Sequence, residues 1–342
     1  MTKIMKNRPT QKQIAEQLGL SAATVSLALR DNPVVAKSTR ELVHQAMRET
    51  GYVRNLAAAS LRTGRSNIVG VSVQSVAHGA FGDLLVAIER AFEDSGTVIL
   101  INNHDDDVEK LDRFISTLAT YGADALLVSP PSGTPLSVME RVGKHGMQVL
   151  YLGSDVEEDA EADLVGLDNV AAGAMAARHL IEAGFDRLCV VGGQVESSIC
   201  RDRMQGVGAA LAGAGLPWHD EMWLPCPVDA DRAVATLQSA LARDPAPTGI
   251  VCVGDTVSRV ANGVVQDAGR VPGKDIGLVG LGSERGGEGS RPSLAMVCGD
   301  TRTIGRLGAE TILARLETPE MDARRVTLDP KLVPGGAGAR RR

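Results

Sequence analysis

A helix-start signal, a glycine stop and a second start signal follow one another between Thr10 and Ser21, which forces two short helices to meet across a tight turn. Thr10-Gln11-Lys12-Gln13 has the form of a capping box, Thr10 accepting from the first turn and Gln13 reaching back. Ile14, Ala15 and Leu18 supply one apolar face, and Gly19 can take the left-handed backbone that ends a helix. Ser21 then caps a second helix, Ala22 to Leu29, whose Val25 and Ala28 can pack back on the first. Ser38-Thr39-Arg40-Glu41 reads as another capping box, opening a third helix through Leu42, Val43, Ala46 and Met47 to a stop at Gly51. Three short helices with a tight glycine turn make a helix-turn-helix unit of the kind that reads DNA.

Charge supports that reading. Residues 1–66 hold eleven Lys or Arg against four acids, a formal +7, whereas residues 67–342 hold 25 basic and 38 acidic side chains, a formal −13. A small basic module on a large acidic body grips a polyanion at one end only.

The headpiece resembles that of the LacI/GalR bacterial transcription regulators. The resemblance is carried by the run from Ile14 to Leu29, IAEQLGLSAATVSLAL, followed by Ser38-Thr39-Arg40 and Gly51-Tyr52, without a gap. It implies that Ala22, Ala23 and Leu27 face base edges in the major groove and that Thr24 and Ser26 touch phosphates. The side chains suit those roles: two hydroxyls donate to phosphate oxygens, while two alanines and a leucine make only apolar contacts, best with thymine methyls. Arg30 offers a further base or phosphate contact. After Tyr52, the stretch Arg54 to Arg62 has high helix propensity but is too short to be stable alone. The family's hinge helix lies here, and the resemblance makes Leu61 a minor-groove wedge that kinks the duplex. The family often has Pro where this chain has Arg54. With Thr10, Ser21, Asn55 and Ala58, these residues form the candidate DNA-contacting set.

From Ile68 onward short apolar strands alternate with helices. Candidate strands are Ile68–Val73, Val98–Ile101, Ala125–Val128, Val149–Leu152, Leu188–Val191, Ile250–Val253 and Ile276–Val279, with a helix over Asp83–Ser95. Asp163 to Asn169 reads as a crossover into a second unit, with Asp168 or Asn169 capping a helix from Val170 to Glu182. Leu294–Asp300 reads as a returning strand, Ile304–Leu316 as a helix and Val326–Leu332 as a last strand. The alternation predicts parallel sheets with helices on both faces. An aromatic content of 3% leaves Ala, Val, Leu and Ile to build those cores.

The expected fold is therefore a small all-α helix-turn-helix headpiece plus an α/β two-lobed, periplasmic-binding-protein-like body of parallel sheets. The expected boundaries are 1–53 for the headpiece, 54–66 for the hinge and linker, 67–335 for the body and 336–342 for a disordered tail. Within the body, one lobe takes about 67–165 and 297–326, the other about 166–296 and 327–335.

In the family the cleft between the lobes takes an effector, often a sugar or a derivative. The family's arginine on the helix after a Gly-Gly turn is matched by Arg203, whereas the usual aromatic-Asp-Asp is here Leu281-Gly282-Ser283. A common Asn-Asp is Gly254-Asp255, and an Asp seen in some members is Gly153. Losing a hydroxyl-gripping carboxylate while keeping an arginine points to an effector that is less hydroxyl-rich or bears a carboxylate or phosphate. The candidate effector residues are Phe81, which offers a stacking face, Arg203, Asp255, Ser283 and Thr301. Packing alone also accounts for Phe81, a tie between lobes accounts for Arg203, and a cleft that binds nothing stays open.

Catalytic and metal signals do not converge. The six histidines form no HExxH, Gly192-Gly193 lacks both phosphate-loop patterns, and no GxSxG surrounds Ser283 or Ser197-Ser198. Asp105-Asp106-Asp107 reads as a solvated post-strand loop rather than a metal cluster. Five scattered cysteines without a CxxC pair argue against a disulfide framework or zinc site. No cofactor, no enzyme activity, no secretion signal and no membrane span are expected, which places the protein in the cytoplasm, on the nucleoid. The expected function is a homodimeric repressor of a palindromic double-stranded DNA operator, controlled by a small-molecule effector. The alternative is a cytoplasmic sensor without specific DNA activity.

Overall fold

The computed structural model describes residues 9–29, 31–52, 65–76, 79–156, 162–227, 229–287 and 292–335, and separates into two units, 1–66 and 67–342. The first unit holds α1 (Gln11–Leu18), α2 (Ala22–Ala28) and α3 (Lys37–Thr50). The capping box forms as its residues dictate: the Thr10 hydroxyl accepts from the Gln13 N–H and Gln13 Oε1 accepts from the Thr10 N–H at 2.7 Å. Gly19 ends α1 at φ +64°, and Ser21 Oγ accepts from the Thr24 N–H at 3.0 Å to start α2. Ile14, Val25, Ala28 and Val43 are fully buried in one small core. Ser38 does not cap α3. The helix starts one residue before it, behind an extended Ala36 that offers no side-chain oxygen, so the expected second capping box is absent.

The body contains two six-stranded sheets. The first is built from β1 (Ile68–Val73), β2 (Val98–Asn103), β3 (Ala125–Val128), β4 (Gln148–Leu152), β5 (Asp163–Leu167) and β11 (Arg325–Leu328). Its order is β11-β5-β4-β3-β1-β2, and every pairing is parallel. The second uses β6 (Leu188–Gly192), β7 (Trp223–Leu224), β8 (Gly249–Val253), β9 (Gly277–Leu281), β10 (Ala295–Cys298) and β12 (Lys331–Val333), in the order β12-β10-β9-β8-β6-β7. Only β12 runs antiparallel, against β10.

Both faces of each sheet are covered, so the strands read as continuous apolar runs. In the first sheet Val71, Leu127 and Leu150 pack on α4 (Gly79–Phe92) and α11 (Thr301–Glu317), while Leu126, Val128 and Tyr151 face α5 (Val108–Tyr121) and α6 (Leu136–Lys144). In the second, Val190, Val251 and Val279 meet α7 (Asn169–Glu182) and α8 (Ser198–Gly213), and Val191, Cys252 and Leu278 meet α9 (Ala230–Leu241) and α10 (Asp255–Asp267). All five cysteines are buried free thiols, and burial pushes Cys189 up to about 12.

Two stretches depart from the sequence reading. Asp163–Leu167 is the fifth strand of the first sheet, and the crossover begins only at Asp168. The run Val326–Leu332 is two strands: β11 closes the first sheet and β12, after Asp329 and Pro330, joins the second. The chain thus passes between the sheets three times, after β5, between β10 and α11, and between β11 and β12. A buried ion pair braces the region: Arg315 Nε and Nη2 donate to the two oxygens of Asp163 at 3.0 and 2.8 Å. Asp163 also accepts from the Arg324 N–H at 2.7 Å, anchoring the approach to β11.

Candidate functional site

In the first unit α2 presents Ala22 and Ala23 exposed at its start, with Thr24, Ser26 and Leu27 half-buried. Thr10 and Ser21 are exposed, and both hydroxyls are engaged in the caps. Ser21 Oγ also lies 2.8 Å from Thr24 Oγ1, so one of the two hydroxyls expected to meet phosphates, that of Thr24, is held at the helix N-terminus beside the capping serine. That end of a helix favours anions. Leu27 packs partly on the headpiece core, which restricts the side-chain area it can offer to a base. Gln11 Nε2 donates to the Ala22 carbonyl at 3.3 Å and ties the start of α2 to α1. Arg30, Asn55, Ala58 and Leu61 lie outside the described residues.

The body holds a cavity of about 300 Å³ at the carboxyl ends of both sheets. Open α/β sheets bind ligands at this end because loops and helix N-termini gather there. Phe81, Arg203, Asp255, Ser283 and Thr301 all line it, together with Gln74, Asp106, Asn169 and Gln194, which sequence reasoning missed. Asn169 carried a signal, since the residue after a capping Asp at a lobe crossing starts a helix at the cavity. Asp168 takes the capping role, accepting from the Ala171 N–H at 2.8 Å, which releases the Asn169 side chain.

Asn169 uses that freedom to orient Arg203, whose Nε donates to Asn169 Oδ1 at 3.0 Å. No other Arg203 side-chain hydrogen bond occurs among the described residues, so its terminal nitrogens stay available to the cavity. Burial draws the Arg203 pKa below its ordinary value, opposed by Cys200, Asp255 and Asp202. The two helices that carry this pair touch backbone to backbone. A Cβ at Gly173 would lie 2.0 Å from the Arg203 carbonyl oxygen, and one at Gly206 would lie 1.9 Å from that of Val170, so only glycine fits at either position.

Asp255 begins α10 and faces the Gly282–Gly287 loop. Its Oδ2 accepts from Ser283 Oγ at 2.5 Å and its Oδ1 from the Ser283 N–H at 2.7 Å. On the other sheet, Asp106 Oδ1 accepts from the Ser132 N–H at 2.8 Å. Behind it lies His104, 1% exposed, with Nε2 2.8 Å from the Ser129 carbonyl and Nδ1 3.1 Å from the Asp106 N–H. These partners fit only the neutral ring, a donor at Nε2 and an acceptor at Nδ1. Burial lowers the His104 pKa, against the Ser129 carbonyl and the Asp106 and Asp105 charges.

The three consecutive aspartates have separate partners. Asp105 pairs with Lys110 at 2.5 Å, Asp106 holds Ser132, and Asp107 caps α5. Among the described residues no group of three or more His, Cys, Asp or Glu is placed to hold a metal ion. Nor is any described helix long and apolar enough to cross a membrane.

Comparison with known proteins gives two family matches that together cover most of the chain. Residues 10–55 match bacterial regulatory proteins of the lacI family, and residues 66–301 match the periplasmic binding proteins and sugar binding domain of the LacI family. The maltose regulon regulatory protein MalI of Escherichia coli K12 is 28% identical over 265 residues, 78% of this chain and 77% of that protein. The transcriptional repressor PurR of Erwinia tasmaniensis is 26% identical over 328 residues, 95% of each chain. A crystal structure of the lac repressor dimer bound to operator and the anti-inducer ONPF superposes with a TM-score of 0.84 at 21% identity, covering 97% of this chain and all of that one.

Proposed function

Because this chain belongs to the lacI family of bacterial regulatory proteins, we propose that it binds a roughly palindromic DNA operator as a homodimer and represses transcription there. The curated relatives MalI, PurR and the ribose operon repressor of Haemophilus influenzae are all named as regulators. The observation that carries the reading is the exposed start of α2, which sets two alanines beside a hydroxyl pair on a module of formal charge +7. Alanines and Leu27 select for shape and thymine methyls. Thr10, Ser21, Thr24, Ser26 and Arg30 supply phosphate grip, and Asn55, Ala58 and Leu61 complete the minor-groove contact. The protein works on DNA in the cytoplasm and catalyses no reaction.

Control comes from the cleft. Arg203, held by Asn169, presents a fork suited to a carboxylate or phosphate, and Phe81, Thr301 and the Asp255–Ser283 pair frame the remainder. The effector is a sugar derivative carrying an acidic group. Its binding changes how the lobes sit, and hence the cost of ordering paired hinges on DNA.

Genome-wide capture of DNA fragments by the purified protein, followed by gel retardation across a salt series, tests this. Recovery of one palindromic motif with binding that weakens steeply with salt is expected. Sequence-blind association, or a flat salt response, overturns it.

A further inference from the structure

A second chamber adjoins the cavity at the strand ends. This second space has a volume of about 280 Å³ and shares Pro130, Ser132, Ser154 and Ser197 with the first, so these four residues border both. Each space alone sits near the lower edge of the size range of small-molecule pockets. The linings differ in chemistry. Apolar side chains such as Leu84, Leu152, Val253 and Ile304 wall the inner chamber around Arg203. The outer one is framed by Pro131, Thr134, Asp155, Glu196, Ser198 and Arg201.

Both sheets contribute to the outer chamber. The Pro131–Pro135 turn follows β3 of the first sheet, and Glu196 and Ser198 lead into α8 of the second lobe. The turns approach closely: a Cβ at Gly133 would lie 3.8 Å from Glu196 Cβ, and Ser198 Oγ donates to the Asp155 carbonyl at 3.5 Å. Hydroxyls and carboxylates beside flat proline faces match a polyhydroxylated ring, whose hydroxyls need donors and acceptors while its C–H face needs apolar contact.

We propose that the effector of this protein is a two-ring molecule, an acidic sugar in the inner chamber linked to a second hydroxylated ring in the outer chamber. This rests on the cleft being the effector site. The acidic group meets Arg203, the linkage crosses the shared border between Ser132 and Ser197, and the outer ring settles against Pro131 and Glu196. Such a ligand touches both lobes at two separated places, so it senses their relative setting better than a single ring does.

Calorimetry on the full-length protein tests the proposal with glucuronic acid against cellobiouronic acid, and glucose against cellobiose as neutral controls. The expected result is at least about tenfold tighter binding of cellobiouronic acid than of glucuronic acid. Ser198→Trp and Glu196→Trp, which plug the outer chamber from two positions, are expected to remove that advantage and leave glucuronic acid within about twofold of wild type. Thermal unfolding of each variant confirms that the plug has not unfolded the body, and one folded variant suffices. Equal affinity for the single- and double-ring acids, or an advantage that survives a folded plug, overturns the second chamber and leaves the effector site standing. Absence of binding by all four probes overturns both.

Discussion

Ser283 and Asp255 satisfy one another across the cavity wall, the serine giving both its hydroxyl and its backbone N–H to the two carboxylate oxygens. Gly282 and Gly286 make the approach possible, since a Cβ at either would lie 2.2 or 2.5 Å from Asp255 Oδ1. Part of the carboxylate's accepting capacity is therefore already used within the wall. Ser283→Ala is expected to destabilise the body by about 1.5 kcal/mol, the order for a hydrogen bond to a charged group. Urea unfolding measures this; an unchanged midpoint contradicts the pairing.

The bearing of Arg203 depends on Asn169. Arg203→Lys keeps the charge but loses the planar fork, so affinity for an acidic sugar is expected to fall by about tenfold or more. Asn169→Ala should produce a smaller loss through the same route. Titration of both variants with glucuronic acid separates the effects, and a lysine variant that binds like wild type removes the fork from the account.

Gly206→Ala pushes a methyl into the Val170 carbonyl. Overpacking of this kind costs about 1–3 kcal/mol, and because the contact is between backbones the helices must separate. Chemical denaturation reads the loss, and unchanged stability would mean that α7 and α8 part easily.

His104 gives the body a pH dependence of known sign. Its folded pKa lies below the ordinary 6.5, so the unfolded chain binds the proton first as pH falls. Stability from this residue is unaffected well above 6.5, declines as pH drops through that value, and levels off below the folded pKa. His104→Gln should flatten that part of the profile. Unfolding free energies between about pH 7.5 and 5 provide the check.

Arg315→Met leaves the Asp163 carboxylate buried without its bidentate partner. Breaking a buried pair from one side costs about 3–5 kcal/mol. Differential scanning calorimetry should show the body's transition lowered, with the headpiece helices unaffected.

Much of this molecule was legible in its residues. The caps at Thr10 and Ser21, the stop at Gly19 and most strands follow from local chemistry that acts within a few residues. What escaped was set by distant partners. Asp163 to Asn169 looks like a link because its two aspartates suggest exposure, yet Asp163 is buried by an arginine 152 positions away. Val326–Leu332 looks like one strand because nothing local reveals that its halves serve different sheets. In the cleft, residues that open helices or carry a distinctive triplet were visible, whereas Gln74, Asp106 and Gln194 become cavity residues only once the strand ends converge.

The three passages of the chain between the sheets fix how the body can flex. Three covalent straps, lying side by side after β5, after β10 and after β11, resist sliding and separation but permit rotation about a line drawn through them. A molecule lodged in the cleft therefore acts on two sheets that the chain joins at three points. A regulator wired this way can exchange its chemical input by changing wall residues while its mechanical output stays the same.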